Sequence, residues 1–365
     1  MRVLHVAETV RGGIATYFNE LHPLQKVRFG SGNVRFVIPA DHRDDLSGFE
    51  DGDISSFGRS GRSVSGLLRM ALVTMREVRR MRPDVVHIHS SFAGLVIRPL
   101  LYLSPERPRI VYCPHGWAFS RETSRLSHET TKLAERLLAK ITDCIICISD
   151  VELREALAAG IDETSLVVVN NGISAERPRV EHDGPEWASN KTKVLYVGRL
   201  DRQKGHDLLI ESASQLSDLV DVRIIGSTVV DKTHDVELPA NVTLLGWQSR
   251  TQIEAQMEQA DLVVIPSRWE AFGLVALEAM RAAKPVVAFR VGALPEIVED
   301  GRTGLLCSPV SAAALVRGLR NAATLDLIET GRRGYARFRQ LFDVERTHHL
   351  LVETYHHLCQ DSPRN

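Results

Sequence analysis

Short runs of β-branched and aliphatic residues alternate along the whole chain with segments whose apolar positions recur every three or four residues. Continuous or period-two apolar runs of this length read as strands, and the 3.6-residue period reads as helix. In the first half, RVLHVAE, VRFVIPA, DVVHIHS, RIVYCPH, CIICIS and SLVVVNN predict strands, and the intervening periodicity predicts helices at about 13–27, 63–82, 91–103, 122–140 and 150–159. The stretch SAERPRVEHDGPEWASNKTK breaks this pattern: it is polar, has two prolines and no apolar period, and predicts a linker over 176–191. Beyond it the alternation restarts, with strands at KVLYVGR, VDVRIIG, VTLLGW, DLVVIPS, PVVAFRV and GLLCS and a helical tail at DVERTHHLLVETYHHLCQ. Strands alternating with helices specify parallel α/β sheets. The expected architecture is therefore two Rossmann-like domains, 1–175 and 192–340, followed by a C-terminal helix over 341–365. Open parallel sheets bind ligands at the carboxyl ends of their strands, so the tips of these strands are where chemistry is sought.

Composition narrows the function without naming it. A chain of 365 residues exceeds what one core usually supports, which fits the two-domain reading. A formal net charge of -1 argues against nucleic acid as a partner. The five cysteines are odd in number and widely spread, which is no disulfide framework. Cys144 and Cys147 form a CxxC inside an apolar strand, where they point to opposite faces, unlike a redox pair at a helix start. No apolar run approaches the ~20 residues that cross a bilayer, and the first residues read as a buried strand and not as a signal peptide. A cytoplasmic location is expected.

Several strand tips carry candidate chemistry. In ETVRGGIATY, Gly12 and Gly13 leave backbone N–H groups bare at a helix start, suited to an anion or sugar or simply to a tight turn. In YVGRLDRQKGHDLLI, Arg199 and Lys204 lie in a short loop before a helix, where charge pairing and the helix dipole together favour a diphosphate. His115 ends a strand and could polarise a hydroxyl or be satisfied locally. His87 and His89 share one strand face, His87 reading as structural and His89 lying nearer the tip. Asp51 and Asp53 form a DxD in a polar loop, and His349, Glu353 and His356 sit at helical spacing without further ligands; neither reads as a metal site.

Glu270 and Glu278 lie eight positions apart around an expected helix start near Gly273. An intact helix would separate them by ~12 Å, more than the ~5 to 9.5 Å of a glycosidase pair. They suit opposite parts of one extended ligand, such as a nucleotide sugar, with a carboxylate accepting from a ribose diol. From Arg59 to Arg82 there are seven arginines and one acid, Glu77, with Leu68, Leu72, Met75 and Val78 along one side. That segment is either a basic amphipathic helix for an anionic membrane or a core helix with a charged outer face.

EAFGLVALE resembles the E-x7-E signature of retaining GT-B glycosyltransferases of family 4 (glycosyl transferases group 1), and RGGIATY, DVVHIHS, PHG, CISD, VVNNGIS, VGRLDRQKG and VGALPEIVEDGRTGLL support it in order across both domains. The resemblance implies a GT-B fold of two facing Rossmann-like domains, with the C-terminal helix crossing back to the first. It implies a metal-independent, retaining hexosyltransferase whose co-substrate is a nucleoside-diphosphate sugar, with no other cofactor. By motif, Arg199 and Lys204 would bind the diphosphate and Glu278 the ribose. Glu270 would contact the sugar, His115 would stand at the anomeric centre, Gly13 near the phosphates, and backbone groups of Phe272, Gly273 and Leu274 would complete the cradle. A UDP-sugar is favoured over GDP-mannose as donor. The expected acceptor is a glycan or lipid-linked glycan of a surface polysaccharide, reached through peripheral contact of 59–82 with the inner membrane face. Two departures stand out: IIGSTVVDKTH lacks the usual glycine and acidic pair, and Gly116 follows His115 where relatives carry an acid, leaving the ring no carboxylate. A nucleotide-sugar epimerase of the same architecture and a non-catalytic glycan-binding relative are the alternatives; the first lacks E-x7-E, and the second would lose Glu270, Lys204 or Arg199.

Overall fold

The computed structural model describes residues 1–59, 61, 63–120, 125–177, 187, 190–227 and 238–360. In the first sheet, β1 (Val3–Ala7) leads to α1 (Gly13–Phe29), then β2 (Val34–Pro39), β3 (Ile54–Phe57), α2 (Val64–Met81), β4 (Val85–His89), α3 (Ser91–Tyr102), β5 (Arg109–Cys113), α4 (Arg125–Ala139), β6 (Cys144–Cys147), α5 (Asp150–Ala158) and β7 (Leu166–Val168). The second holds β8 (Thr192–Val197), α6 (His206–Ser214), β9 (Val220–Ile225), β10 (Val242–Gly246), α7 (Arg250–Gln259), β11 (Leu262–Ile265), α8 (Leu274–Arg281), β12 (Val286–Phe289), α9 (Leu294–Ile297), β13 (Gly304–Cys307), α10 (Ala312–Ala322) and α11 (Leu327–Leu341), before α12 (Val344–Gln360).

Among the described residues all strand pairs are parallel, in the orders β3-β2-β1-β4-β5-β6-β7 and β10-β9-β8-β11-β12-β13. This is the doubly wound Rossmann arrangement in each sheet, the connections reversing direction between β1 and β4 and between β8 and β11. Central strands β1 and β4 are buried on both faces, and their runs are apolar but for the buried histidines His5, His87 and His89. The sequence pattern misses β3: it is a short edge strand of polar ISSF with little to bury, so it carries no apolar signal.

On one face of the first sheet, Leu4, Val6, Val86, Ile88, Ile110 and Tyr112 pack with residues of α2 and α3 into an apolar core. The second core joins Val194, Val222, Ile224 and Val264 to Leu209 of α6 and Leu315 and Leu319 of α10. Two compact units result: Met1–Ile173 with the segment from Val344, and Ser174–Asp343. The boundaries fall at 173/174 and 343/344, against the expected 175 and 340, and most of the expected linker lies outside the described residues. Helix α12 returns to the first unit, where it packs on α1. There Val344 N–H donates to Ile173 O at 3.0 Å and Thr347 Oγ1 to Asn170 O at 2.8 Å.

The apolar side expected on α2 is split. Met70, Ala71, Thr74, Val78 and Met81 form the inward stripe, whereas Val64, Leu68 and Leu72 are 75%, 60% and 71% exposed. They share the outer surface with the exposed Arg69, Arg76, Arg79 and Arg80. Leu68 and Val78 lie ten positions apart, nearly three turns at 3.6 residues each, but the i, i+4, i+8 set 64, 68, 72 drifts off the buried stripe.

Candidate functional site

The second unit gathers most of the predicted donor residues at its switch point. Lys204 lies in the loop after β8, and Glu270 in the loop after β11, the two strands between which the sheet reverses. Adjacency of these strands brings the loops together: Lys204 Nζ donates to Glu270 Oε1 at 2.5 Å, and Ser267 Oγ donates to the same oxygen at 2.8 Å. Glu270 is buried, and the Lys204 side chain is about a quarter exposed, at 23%. Two glycines permit this approach. A Cβ on Gly205 (φ 68°) would lie 1.9 Å from Pro266 O, and one on Gly292 (φ 50°) would lie 1.8 Å from Glu270 O. No side chain but hydrogen fits either place.

Arg199 is more exposed, and its Nη2 is held 3.0 Å from Asp201 Oδ2 and 3.0 Å from Gln203 Oε1. Gln203 also ties the loops, since its carbonyl accepts from Arg268 N–H at 2.8 Å. Thus both predicted cations already have anionic or polar partners, which a ligand must share or displace.

The helix starts that follow the two switch-point strands differ from the other helix starts of this unit that carry side-chain caps. Ser249, Ser311 and Asp326 cap α7, α10 and α11 through their side chains. Helices α6 and α8 instead begin at Gly205 and Gly273, with no side-chain cap. No N-cap side chain satisfies their first-turn N–H groups, although Ala276 N–H of α8 donates to Gly273 O at 2.9 Å, and the helix dipole favours an anionic acceptor there. Phe272, whose side chain is buried, and Gly273 and Leu274 form the start of α8 as predicted; Glu278 lies one turn further along it, half-buried. Ser267, Gln203 and Gly292 were not anticipated, although Gly292 lies in the VGALPE motif.

In the first unit, α1 likewise begins at an uncapped glycine, Gly12, with Gly13 as its first residue, directly after β1. His115 follows β5 by two residues in a left-handed conformation (φ 52°). It belongs to a file of histidines on the sheet face opposite the apolar core. His115 Nε2 is 2.9 Å from His89 Nδ1, His89 Nε2 is 3.0 Å from His5 Nδ1, and His5 Nε2 is 2.8 Å from Gln25 Oε1. His5 and His87 are register partners on β1 and β4, and His87 Nδ1 meets the Tyr355 hydroxyl of α12 at 2.6 Å. His87 is therefore structural as expected, whereas His89 is tied to the tip. Burial lowers the pKa of His5 to about 4 and of His115 to about 3. It also pushes His87 and His89 well below the ordinary range, neighbouring imidazoles adding to the effect. All four rings are neutral at pH 7. Tyr17 of α1 stands edge-on to His115, with ring centroids 5.0 Å apart, and its buried hydroxyl has no partner among the described residues.

A carboxylate does reach this tip, from α5. Glu152 accepts from Gly116 N–H at 2.5 Å and from Ile148 N–H at 2.9 Å, so it serves the backbone around His115. The sets His5, His87, His89 and His89, Cys113, His115 have ligand atoms close enough for a metal ion. The nitrogens of His89, Nδ1 of His5 and Nε2 of His115 are, however, already used between rings, and the file contains no carboxylate to offset a buried dication. The DxD is not the polar loop expected: it forms a 3-10 turn in which Asp53 is buried against His22, 3.1 Å away, and Lys26. His349 and Glu353 make a solvated pair 3.2 Å apart on α12. Cys144 and Cys147 are buried free thiols, and burial pushes that of Cys144 up to about 12. None of the described helices is long and apolar enough to cross a membrane.

Comparison with known proteins agrees with this fold. The pattern of Glycosyltransferase Family 4 matches residues 12–177, and that of Glycosyl transferases group 1 matches residues 179–333. An uncharacterized 41.2 kDa protein in the cps region of Klebsiella pneumoniae is 34% identical over 316 residues, 84% of this chain and 86% of that protein. A glycogen synthase of Mycobacterium tuberculosis is 30% identical over 264 residues, 67% of this chain, which spans 61% of the synthase. Among solved structures, Anabaena HepE in complex with UDP superimposes with a TM-score of 0.78 at 20% identity, over 98% of this chain and 100% of that one. Matches that run in order through both sheets leave one conclusion: the chain belongs to glycosyltransferase family 4, the glycosyl transferases group 1, with a GT-B fold.

Proposed function

We propose that this glycosyltransferase moves a hexose, with retention, from a UDP-sugar to a glycan or lipid-linked acceptor of a surface polysaccharide. The Lys204–Glu270 pair at the β8/β11 switch point, beside two uncapped helix starts, carries the reading. A diphosphate is the ligand that uses every part of it. Its charge opposes the Lys204 ammonium and the bare N–H groups of α6 and α8, with Arg199 beside them. Glu270, buried and fixed by Ser267, accepts from a sugar hydroxyl, and Glu278 from the ribose diol.

Catalysis on this reading is positioning and stabilisation of the leaving diphosphate, which itself takes the acceptor's proton; no protein nucleophile is required. His115 is assigned as the reactive side chain of the first unit, and Gly13 as a backbone donor. No metal enters the scheme, so chelators should leave turnover unchanged. The Klebsiella relative's place in a cps region supports a polysaccharide acceptor, and the UDP complex of HepE supports the uridine base. The outer surface of α2, with Val64, Leu68 and Leu72 among four exposed arginines, supports peripheral contact with an anionic membrane. Calorimetric titration with UDP and GDP tests the donor: tighter UDP binding is expected, and binding of neither removes the proposal. Proton NMR of the released product's anomeric linkage tests retention.

A further inference from the structure

We infer that Gln25 sets the tautomer of His115 through His5 and His89, leaving His115 Nδ1 as a bare hydrogen-bond acceptor at the tip of the first sheet. Gln25, His5 and His89 lie on α1, β1 and β4, far apart in sequence, and every link has hydrogen-bond length. The file can be read in one direction. Gln25 Oε1 has no hydrogen to give, so His5 Nε2 must donate to it across 2.8 Å. A neutral imidazole has a single N–H, so His5 Nδ1 is bare and accepts from His89 Nε2–H across 3.0 Å. His89 Nδ1 is then bare in turn, and accepts from His115 Nε2–H across 2.9 Å. The proton of His115 is therefore committed inward, and its Nδ1 lone pair is what a ligand meets.

The environment keeps this assignment intact. His5, His87 and His89 are at most 1% exposed and Gln25 is wholly buried, so no bulk water competes for the links. Burial also keeps the rings neutral, as their lowered pKa values indicate. His87 stands beside the file but bonds to Tyr355 instead, so it does not break the sequence of donors. Turning the Gln25 amide over would reverse every link and present His115 Nδ1–H as a donor, which makes the polarity a measurable property.

The consequence concerns ligand class. A neutral Nδ1 acceptor attracts a hydroxyl group and repels a phosphate oxygen. His115 is thereby suited to orient a sugar or acceptor hydroxyl, and His5, His89 and Gln25 are positioning residues behind it. This rests on His115 being the reactive residue of the first unit, but its test needs no turnover.

Long-range proton–nitrogen correlation spectra of protein labelled with 15N-histidine read the tautomers directly, each ring being assigned by loss of its signal in a single-histidine variant. We expect His5, His89 and His115 all to carry the proton on Nε2, with His115 Nδ1 in the unprotonated range. Gln25→Met, which keeps the volume and removes the acceptor, should release the file and shift His115 toward an average of both tautomers. A His115 that carries its proton on Nδ1, or is an imidazolium, in the unaltered protein overturns the inference. So does an unchanged His115 tautomer in a folded Gln25→Met protein. If that variant does not fold, the spectrum of the unaltered protein decides alone. Titrating the same sample with UDP separates the two readings: absent nucleotide binding refutes the donor proposal, while the tautomer pattern stands or falls by itself.

Discussion

Replacing Lys204 with methionine removes the ammonium 2.5 Å from Glu270 Oε1 while keeping most of the side-chain stem. Glu270 is left buried, with Ser267 still donating to it. Breaking a buried ion pair by deleting one partner costs ~3–5 kcal/mol. Here the lysine is 23% exposed and the serine remains, so about 2 kcal/mol is the reasoned cost. For a domain of this size that lowers Tm by about 4–8 °C. Glu270→Gln should cost less, about 1 kcal/mol, because the partly exposed ammonium can hydrate. The double variant buries no uncompensated charge, so it should recover at least ~1 kcal/mol relative to Lys204→Met. Nucleotide affinity should follow a different order. Lys204→Met and the double variant both lose a charge-assisted phosphate contact of about 2–3 kcal/mol, roughly 30- to 150-fold in Kd for UDP. Glu270→Gln keeps the lysine and frees it from its carboxylate, so UDP binds as well or better while sugar transfer is lost. Thermal melts and calorimetry on the four proteins provide both readings. Wild-type UDP affinity in Lys204→Met would refute the diphosphate assignment. A double variant no more stable than Lys204→Met would refute the electrostatic account of the pair.

Gly292→Ala should cost at least about 2 kcal/mol and weaken UDP binding, since its Cβ meets Glu270 O at 1.8 Å. Gly301→Ala is the control: its φ is 75° but nothing lies within 4 Å, so only a backbone cost of ~1 kcal/mol is expected, and equal urea midpoints for the two would discount the close contact. Stability should fall on acidification. The folded pKa of His5 is lowered to about 4, so between the unfolded value of 6.5 and about 4 the unfolded chain binds a proton that the folded one does not. His5 alone removes about 2 kcal/mol on going from pH 7 to pH 5, and His87 and His89 add to it; a flat urea midpoint over that range would contradict neutral burial. Leu68→Glu with Leu72→Glu, at exposed positions of α2, should leave stability within ~0.5 kcal/mol yet reduce sedimentation with anionic vesicles at least several-fold. Undiminished sedimentation would remove α2 from the membrane surface.

What could be read from the sequence was whatever depends on local periodicity. Apolar runs such as DLVVIPS announce buried parallel strands because both faces must be shielded from water, and glycines just before an apolar period announce helix starts without side-chain caps. Those two signals were enough to place Lys204, Glu270, Gly273, Gly13 and His115 at strand tips. The signal failed where burial is slight, as at edge strand β3, and where several residues of one helix compete for the core, as with Leu68 and Leu72 on α2. Periodicity says that a residue lies on a face, but not whether that face is covered.

Pairing across the sheets lay beyond the sequence. Lys204 meets Glu270 across 66 positions, His5 meets His89 across 84, and His87 meets Tyr355 across 268. Each contact exists because of strand order: β8 lies beside β11, β1 beside β4, and the chain returns after Asp343 to lay α12 on the first unit. A strand's own residues specify that it will be buried and which way its side chains alternate. Which strand lies next to it is settled by packing the whole sheet, and with it whether a lysine finds a carboxylate and a histidine finds another imidazole.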